Sequence, residues 1–348
     1  MAGTERTRLA GLFPEEIAEL LAPLGAPRYR ADQLFRWIHK QRARSFDEMT
    51  NLPIDLRSVL GGRFDVGAPE LVALSDLDPD GARKFLYRGE GGAEFETVEI
   101  PAEDGPTVCV SSQSGCRYDC VFCATPLGGF LRSLRADEIV GQVLGTDRPA
   151  KRIVYMGMGE PLANYRAVVR SIRLLTHPEG AALPPRRVTV STVGLVPLID
   201  RLASEDLGVR LAVSLAAAED EKRTRLMPIA RRYPVGDLLA AAGRFAERSG
   251  APVTFEIPLL AGVNDSDDDA GLLARRLAPL RCKVNLIPFN TVEGLPYRPP
   301  GEARIDRFLE ILARRLTVTV RRSAGRRIDA ACGQLRLRAG RPGKEGTR

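Results

Sequence analysis

Histidine is almost missing from this chain: His39 and His177 are the only two among 348 residues. A zinc site that mixes thiolate and imidazole ligands therefore has little to draw on. Long apolar runs are missing as well, and none reaches the roughly 20 residues that span a bilayer. The opening residues Met1 to Arg8 lack the apolar centre of a signal peptide, so a cytoplasmic protein with no membrane attachment is expected. Cysteine is scarce too. There are six, three of them within eight positions, which is not the paired framework of a small secreted domain and points to a reducing compartment. What is plentiful is apolar residues, at 44%, enough to bury a large core and to suggest one large domain with a small one. The formal net charge of +7 favours a polyanionic partner such as nucleic acid, although arginines occur in nearly every segment.

The clustered thiols lie in Cys116-Arg-Tyr-Asp-Cys120-Val-Phe-Cys123, a C-x3-C-x2-C spacing. Thiolates are soft ligands that suit zinc, Cu(I) and iron–sulfur clusters. By spacing alone, unrelated buried thiols and a zinc loop stay open as readings. A closed zinc site wants a fourth Cys or His nearby, and none follows. Three thiolates suit a [4Fe–4S] cluster with one iron left open. The run resembles the signature of radical S-adenosylmethionine (SAM) enzymes, whose open iron takes the amino and carboxylate groups of SAM; Phe122 also fits that pattern.

Residues 12–60 read as helical. Pro14 suits a first helical turn, ahead of Ile17, Leu20 and Leu21. A second helix over Asp32 to Arg42 carries Leu34, Phe35 and Ile38 on one face, with Trp37 nearby. Arg28, Arg30, Arg36, Lys40, Arg42 and Arg44 make this pair basic, either a solvated face or an RNA-docking module. The period then changes: Lys84–Tyr87 and Phe95–Ile100 read as strands around Gly89, Gly91 and Gly92, a small antiparallel sheet.

From Thr107 to Ser323 strands alternate with helices. Strand-like runs are Thr107–Ser111, Arg152–Met156, Arg187–Ser191, Arg210–Leu215, Val253–Leu260, Lys283–Phe289 and Leu316–Arg321. Helical stretches include Ala136–Leu144, Tyr165–Leu175, Val235–Glu247 and Asp268–Leu277. Such alternation means α/β architecture with parallel strands and helical crossovers. Too few units are present for an eight-fold barrel, so a partial barrel of about six strands, the radical SAM architecture, is expected. The domain expectation is a helical accessory module over 1–68, an antiparallel linker over 69–106, the partial barrel over 107–323, and a C-terminal loop with a disordered basic tail over 324–348.

Other candidates fall at strand ends, where parallel sheets place their sites. Tyr155-Met-Gly-Met-Gly159-Glu160-Pro161 follows an apolar strand; its glycines permit close backbone approach, and Glu160 offers a carboxylate to an ammonium group. By itself a strand ending in a Gly-Pro turn is commonly structural. Ser191 and Ser214 end the next two strands, with Leu215 and Ala216 following, and Asn290 closes Asn285-Leu-Ile-Pro-Phe-Asn290. Two lone thiols remain besides Cys282, which opens a core strand and reads as a small buried hydrophobe. Cys109 starts Cys109-Val-Ser-Ser-Gln113, and Cys332 sits in Ile328-Asp-Ala-Ala-Cys332-Gly-Gln-Leu335.

These runs, with Gly-Met-Gly-Glu-Pro, Lys-Val-Asn-Leu-Ile-Pro-Phe-Asn, Arg30-Ala-Asp-Gln-Leu and Phe46-Asp-Glu-Met-Thr, resemble the bacterial dual-specificity rRNA/tRNA adenine C2-methyltransferases over roughly residues 28–335. The resemblance implies a radical SAM enzyme acting on one adenine near the peptidyl transferase centre of 23S rRNA and on the adenine 3′ of certain tRNA anticodons. It implies that Cys116, Cys120 and Cys123 hold a [4Fe–4S] cluster, and that Gly159, Glu160, Ser191, Ser214, Leu215, Ala216 and Asn290 contact SAM. It implies that Cys332 becomes S-methylcysteine, that Cys109 resolves the adduct and that Glu96 accepts a proton. The chain departs from the family at Ala216, where the family usually has His; a backbone contact survives that change and a side-chain contact does not.

The chemistry is coherent. C2 of adenine is electron-poor and SAM's methyl group is electrophilic, so direct transfer is mismatched, whereas a thiolate accepts the methyl group. A second SAM then yields a radical that removes hydrogen from the S-methyl group, and the carbon radical adds to adenine. Attack of Cys109 on the Cys332 sulfur releases the product and leaves a disulfide. Turnover needs a low-potential donor of ferredoxin or flavodoxin type and a dithiol reductant. A monomer is expected. A C8-methyltransferase of the same rRNA adenine and a non-catalytic, metal-bound RNA-binding module are the alternative readings.

Overall fold

In the computed structural model, residues 6–336 are described; the tail expected to be disordered from Gly340 onward lies outside them. A two-residue strand β1 (Thr7–Arg8) leads to helices α1 (Pro14–Leu21), α2 (Tyr29–His39) and α3 (Ile54–Arg63), after which β2 (Phe64–Asp65) pairs back on β1. Helix α1 starts where the sequence asks for it. Pro14 occupies the first turn, and the Glu16 carboxylate accepts from the Phe13 amide at 2.7 Å.

Helix α2 buries Ala31, Leu34, Phe35 and Ile38 as expected, but it begins earlier and stops at His39 rather than running to Arg42. The cause is Arg42. It turns into the left-handed region at φ 60° and donates to the Leu144 carbonyl at 2.9 and 3.1 Å, a pairing that continued helix would forbid. Part of the basic surface is likewise used internally: Arg36 pairs with Glu179, and Arg30 donates to Gln33 and Asn51.

Three antiparallel strands follow, β3 (Glu70–Leu74), β4 (Arg83–Arg88) and β5 (Glu94–Ile100). They are not a separate sheet, because β5 pairs antiparallel with β6 (Thr107–Cys109), the first strand of the parallel array. Between β6 and its parallel neighbour β9 (Arg152–Tyr155) lie a short hairpin, β7 (Gln113–Gly115) with β8 (Phe130–Ser133), and helix α4 (Ala136–Leu144). The array continues as α5 (Tyr165–Thr176), β10 (Val188–Thr192), α6 (Val196–Ser204), β11 (Arg210–Ser214), α7 (Asp220–Leu226), α8 (Val235–Ser249), β12 (Val253–Leu259), α9 (Asp267–Leu277), β13 (Cys282–Pro288), α10 (Glu302–Ala313) and β14 (Val318–Val320). The sheet order is β14-β13-β12-β11-β10-β9-β6-β5-β4-β3, parallel from β6 to β14. Helical crossovers keep consecutive parallel strands adjacent.

Period two governs what each face holds. In β12, Val253, Phe255, Ile257 and Leu259 share one face, and cross-strand register aligns Phe255 with Val213 and Val284 in the buried apolar layer. The opposite face is polar: Ser214, Glu256, Asn285 and Thr319 form one register row across four strands. Apolar burial under the helices holds the sheet, and the polar row is left on the other face, ending at the exposed Thr319 of the edge strand.

His39 gives the helical module an acid sensitivity. Its ring stacks on Phe35 with centroids 4.2 Å apart, and both ring nitrogens are buried without a hydrogen-bond partner. Burial lowers its pKa from 6.5 to about 3. A depressed folded value means a stability contribution that is complete above pH 6.5 and is lost as pH falls toward 3. Between pH 7 and pH 5, the Tm of the wild-type chain is expected to fall further than that of His39→Leu, by about 3 °C or more; parallel decline of the two contradicts this.

Candidate active site

The carboxyl ends of the parallel strands open into a cleft lined by the cysteine loop, the turn after β9 and the ends of β10 to β13. The three clustered cysteines form one wall. Their loop hangs from the β7–β8 hairpin, whose crossing at Gly115 is so tight that a Cβ there would lie 2.0 Å from the Gly129 carbonyl oxygen. Within the loop the Cys120 amide donates to Tyr118 O at 2.8 Å and the Cys123 amide to Cys120 O at 3.1 Å. The thiols are buried or half-buried, and burial pushes Cys116 up to about 12 and raises Cys120 and Cys123 as well. Such thiols lose their protons when a metal takes their place.

Among the described residues, no three His, Cys, Asp or Glu side chains close round one ion. A tetrahedral zinc would require that convergence. The three thiols of one short loop all line the cleft, and they are the soft donor set that a [4Fe–4S] cluster takes.

The second wall is the turn after β9. Gly159 adopts φ 93°, and a Cβ there would meet the Gln113 side chain at 2.4 Å, so only glycine allows this turn to pack beside the hairpin. Glu160 is buried and lines the cleft. Its carboxylate accepts from the amides of Leu162 at 2.9 Å and Val193 at 2.7 Å, and burial lifts its pKa to about 7. Ser191 and Ser214 line the same cavity from the ends of β10 and β11. Asn290 lines it after β13, donating to Ser323 Oγ and Cys332 O at 3.0 Å each, while its Oδ1 is buried with no protein donor. An orphaned acceptor beside hydroxyls and a carboxylate suits a ligand with amino and hydroxyl groups, as SAM has.

Leu215 and Ala216 are fully buried and do not line the cleft. Ala216 sits at φ 60°, and its carbonyl accepts from Asn264 Nδ2 at 2.8 Å. The departure from His therefore falls on a turn held by backbone geometry and Asn264.

The two lone thiols meet here. Cys332 lines the cleft, half-buried, while Cys109 ends β6 beneath it. Burial, then the charge of Cys332, pushes Cys109 up to about 12, and the nearby Arg321 cation opposes that rise. Cys332 is brought to the cluster wall by its own loop: the Ala124 amide donates to Gly333 O at 2.7 Å, and Thr125 Oγ1 donates to Leu335 O at 2.7 Å. Glu96 stands apart from the cleft lining. Its carboxylate pairs with Lys84 at 2.9 Å and accepts from the Arg336 amide at 2.9 Å, with burial raising its pKa overall.

Three buried polar groups are invisible in the motifs. Gln142 of α4 accepts from the Ser111 amide at 2.8 Å and donates to the Ser111 carbonyl at 2.9 Å, fixing the chain as it leaves Cys109. Arg223 is fully buried and forks to the carbonyls of Val193 (2.7 Å), Leu215 (3.2 Å) and Tyr233 (3.3 Å), clamping the ends of β10 and β11. Its only sequence signal was the wrong one, since Asp220-Glu-Lys-Arg-Thr-Arg reads as a solvated charged face. Glu256 is the third; a single charged residue inside Val-Thr-Phe-Glu-Ile is the trace it leaves. Arg223→Leu is expected to cost about 3 kcal/mol or more, because several buried carbonyls lose a charged donor together, and Arg223→Lys to rescue it only in part. Denaturant unfolding checks this; a loss below about 1 kcal/mol for Arg223→Leu contradicts the clamp.

A family model described as the radical SAM superfamily matches residues 110–273, and one described as the ribosomal RNA large subunit methyltransferase N-terminal domain matches residues 7–66. The chain is 45% identical over 344 residues to a protein of Symbiobacterium thermophilum named a probable dual-specificity RNA methyltransferase RlmN, covering 97% of this chain and 93% of that one. It is also 45% identical over 333 residues to the dual-specificity RNA methyltransferase RlmN of Geobacter sulfurreducens, covering 94% and 91%. Among solved structures, a radical SAM methyltransferase from Sphaerobacter thermophilus matches with a TM-score of 0.92 and 46% identity, covering 94% of this chain and 99% of that one.

Proposed function

We infer the reaction from one premise: the chain belongs to the RlmN family of dual-specificity RNA methyltransferases, within the radical SAM superfamily. It methylates C2 of the peptidyl-transferase-centre adenine of 23S rRNA and of the adenine 3′ of the anticodon in tRNA. Cys332 carries the methyl group, Cys109 resolves the adduct and Glu96 accepts the C2 proton. The observation that carries this reading is that Cys332 lines the same cleft as Cys116, Cys120 and Cys123, with Cys109 near enough to feel its charge. A structural metal loop requires neither thiol.

Cys116, Cys120 and Cys123 would hold the cluster, and Gly159, Glu160, Ser191, Ser214 and Asn290 would hold SAM in the cleft they line, with Leu215 and Ala216 buried next to Ser214 in the chain. When bound, the cluster supplies the electron for reductive cleavage of SAM. The chain does the rest by placement. Cys332 presents its sulfur to the cavity, where it first accepts a methyl group and later bears the bond to adenine. Arg321 lies close enough to both thiols to favour their anionic forms. Cys109 then attacks the Cys332 sulfur: an S–S bond forms, and the S–C bond breaks with its pair on the methylene carbon, which takes a proton from water to become the methyl group. The unpaired electron left by radical addition would return to the cluster, and Glu96 takes the proton from C2. For Glu96 to do so, the Lys84 and Arg336 contacts that now occupy its carboxylate open as RNA enters. A dithiol reductant reopens the disulfide, and a ferredoxin- or flavodoxin-type donor reduces the cluster. The N-terminal helices, with Arg28, Lys40 and Arg44 exposed, supply RNA affinity to a cytoplasmic monomer.

The two thiols fail at different steps. Cys332→Ala has no methyl acceptor and is expected to yield no covalent RNA. Cys109→Ala still adds to adenine but cannot release it, so it accumulates a protein–RNA crosslink seen as a mass shift under denaturing conditions. Covalent RNA on Cys332→Ala, or on neither variant despite intact clusters and SAM turnover, defeats the assignment. Mass analysis of the modified adenine separates C2 from C8 methylation.

A further inference from the structure

We propose that Glu256 is the group that takes the thiol proton of Cys332 when that sulfur accepts its methyl group. The proposal rests on the reading of Cys332 as methyl acceptor and adds a residue to it. Glu256 lies on the polar face of β12, only 5% exposed, and lines the cleft together with Cys332. Its Oε1 accepts from Asn285 Nδ2 at 3.0 Å. Among the described residues, its Oε2 is the one buried carboxylate oxygen with no hydrogen-bond partner, the Cys332 thiol included, so the proton passes once the thiol turns within reach or through one bridging water.

A buried acceptor left unpaired is costly. The other carboxylates near the site are spent: Glu160 on the amides of Leu162 and Val193, Glu96 on Lys84 and the Arg336 amide. The charged and titratable groups facing Glu256 come from three places. Arg321 follows β14, Cys332 comes from the C-terminal loop, and Asn285 and Ser214 flank it in the neighbouring strands without charge. After burial, Arg321 acts on Cys332 as a positive charge, and Glu256 and then Cys123 act on it as negative ones. Burial raises the proton affinity of Glu256, which makes it a better base than an exposed carboxylate.

The step balances. The Cys332 S–H proton moves to Glu256 Oε2, and the sulfur's electron pair forms the S–CH3 bond. The methyl–sulfonium bond of SAM breaks, its pair staying on the sulfur of S-adenosylhomocysteine. A carboxylate and a sulfonium become a neutral acid and a neutral thioether, and Arg321 remains a cation throughout.

The test follows the mass of the Cys332 peptide after full-length, cluster-loaded chain is mixed with saturating SAM, between about pH 6.5 and 8.5. Wild type is expected to methylate Cys332 with a weak pH dependence. Glu256→Gln is expected to be slower near neutrality by about a hundredfold, to recover about tenfold per pH unit as solvent becomes the base, and to be partly rescued by Glu256→Asp. SAM affinity is measured alongside by equilibrium dialysis. A Glu256→Gln chain that methylates at the wild-type rate overturns the proposal. So does one whose rate loss matches a loss of SAM affinity with an unchanged pH profile, which makes Glu256 a SAM contact. Wild type that puts no methyl on Cys332 overturns the reading of Cys332 itself, and this proposal with it.

Discussion

Two hydrogen bonds join segments of the chain that are far apart in sequence, and the active site depends on them. The Ala124 amide donates to Gly333 O, and Thr125 Oγ1 donates to Leu335 O, each at 2.7 Å; the second spans 210 residues. They fasten the loop of Cys332 onto the loop that carries Cys116, Cys120 and Cys123. Gly333 makes the approach possible: at φ 83° a Cβ would come within 3.2 Å of Phe122 O. The Asn290 side chain, which donates to Cys332 O, and the Glu96 carboxylate, which accepts from the Arg336 amide, hold the same segment as this latch from its other side, so its conformational entropy is already lost in the folded chain.

The rest of the sheet serves the same cleft through a division of faces. The apolar layer under the helices provides the stability, so the row of Ser214, Glu256 and Asn285, which ends at the exposed Thr319 of the edge strand, is free to be polar. Strand ends are then tied by groups that do no chemistry themselves. Arg223 clamps β10 and β11, Gln142 fixes the exit from β6, and Glu160 bonds the β9 turn to Val193. Preorganisation of this kind lets a radical reaction meet a fixed geometry.

Much of this could be read in the sequence because its signals are local. The cysteine spacing, the Gly-Met-Gly-Glu-Pro turn and the alternation of strands and helices each occupy a dozen residues or fewer, and Ala136–Leu144 emerges as a helix with the bounds its pattern indicates. What stayed hidden depends on pairing across distance. The hairpin β7–β8 is built from Gln113-Ser-Gly115 and Phe130-Leu-Arg-Ser133, too short to announce themselves as strands. Arg42 ends α2 because carbonyls at the end of α4 hold it, and Arg223 is buried in a run whose charges suggest water. The nearness of Cys109 to Cys332 follows from the latch, not from either motif.

The central claim is that the methyl group passes through Cys332 as a carbon radical before it reaches RNA. SAM with a fully deuterated methyl group, turned over on an RNA substrate, tests it directly by mass spectrometry. The account predicts that the methyl group on adenine has lost one deuterium atom and that 5′-deoxyadenosine has gained it. A product that keeps the complete deuterated methyl group would mean direct transfer from SAM and would contradict the account.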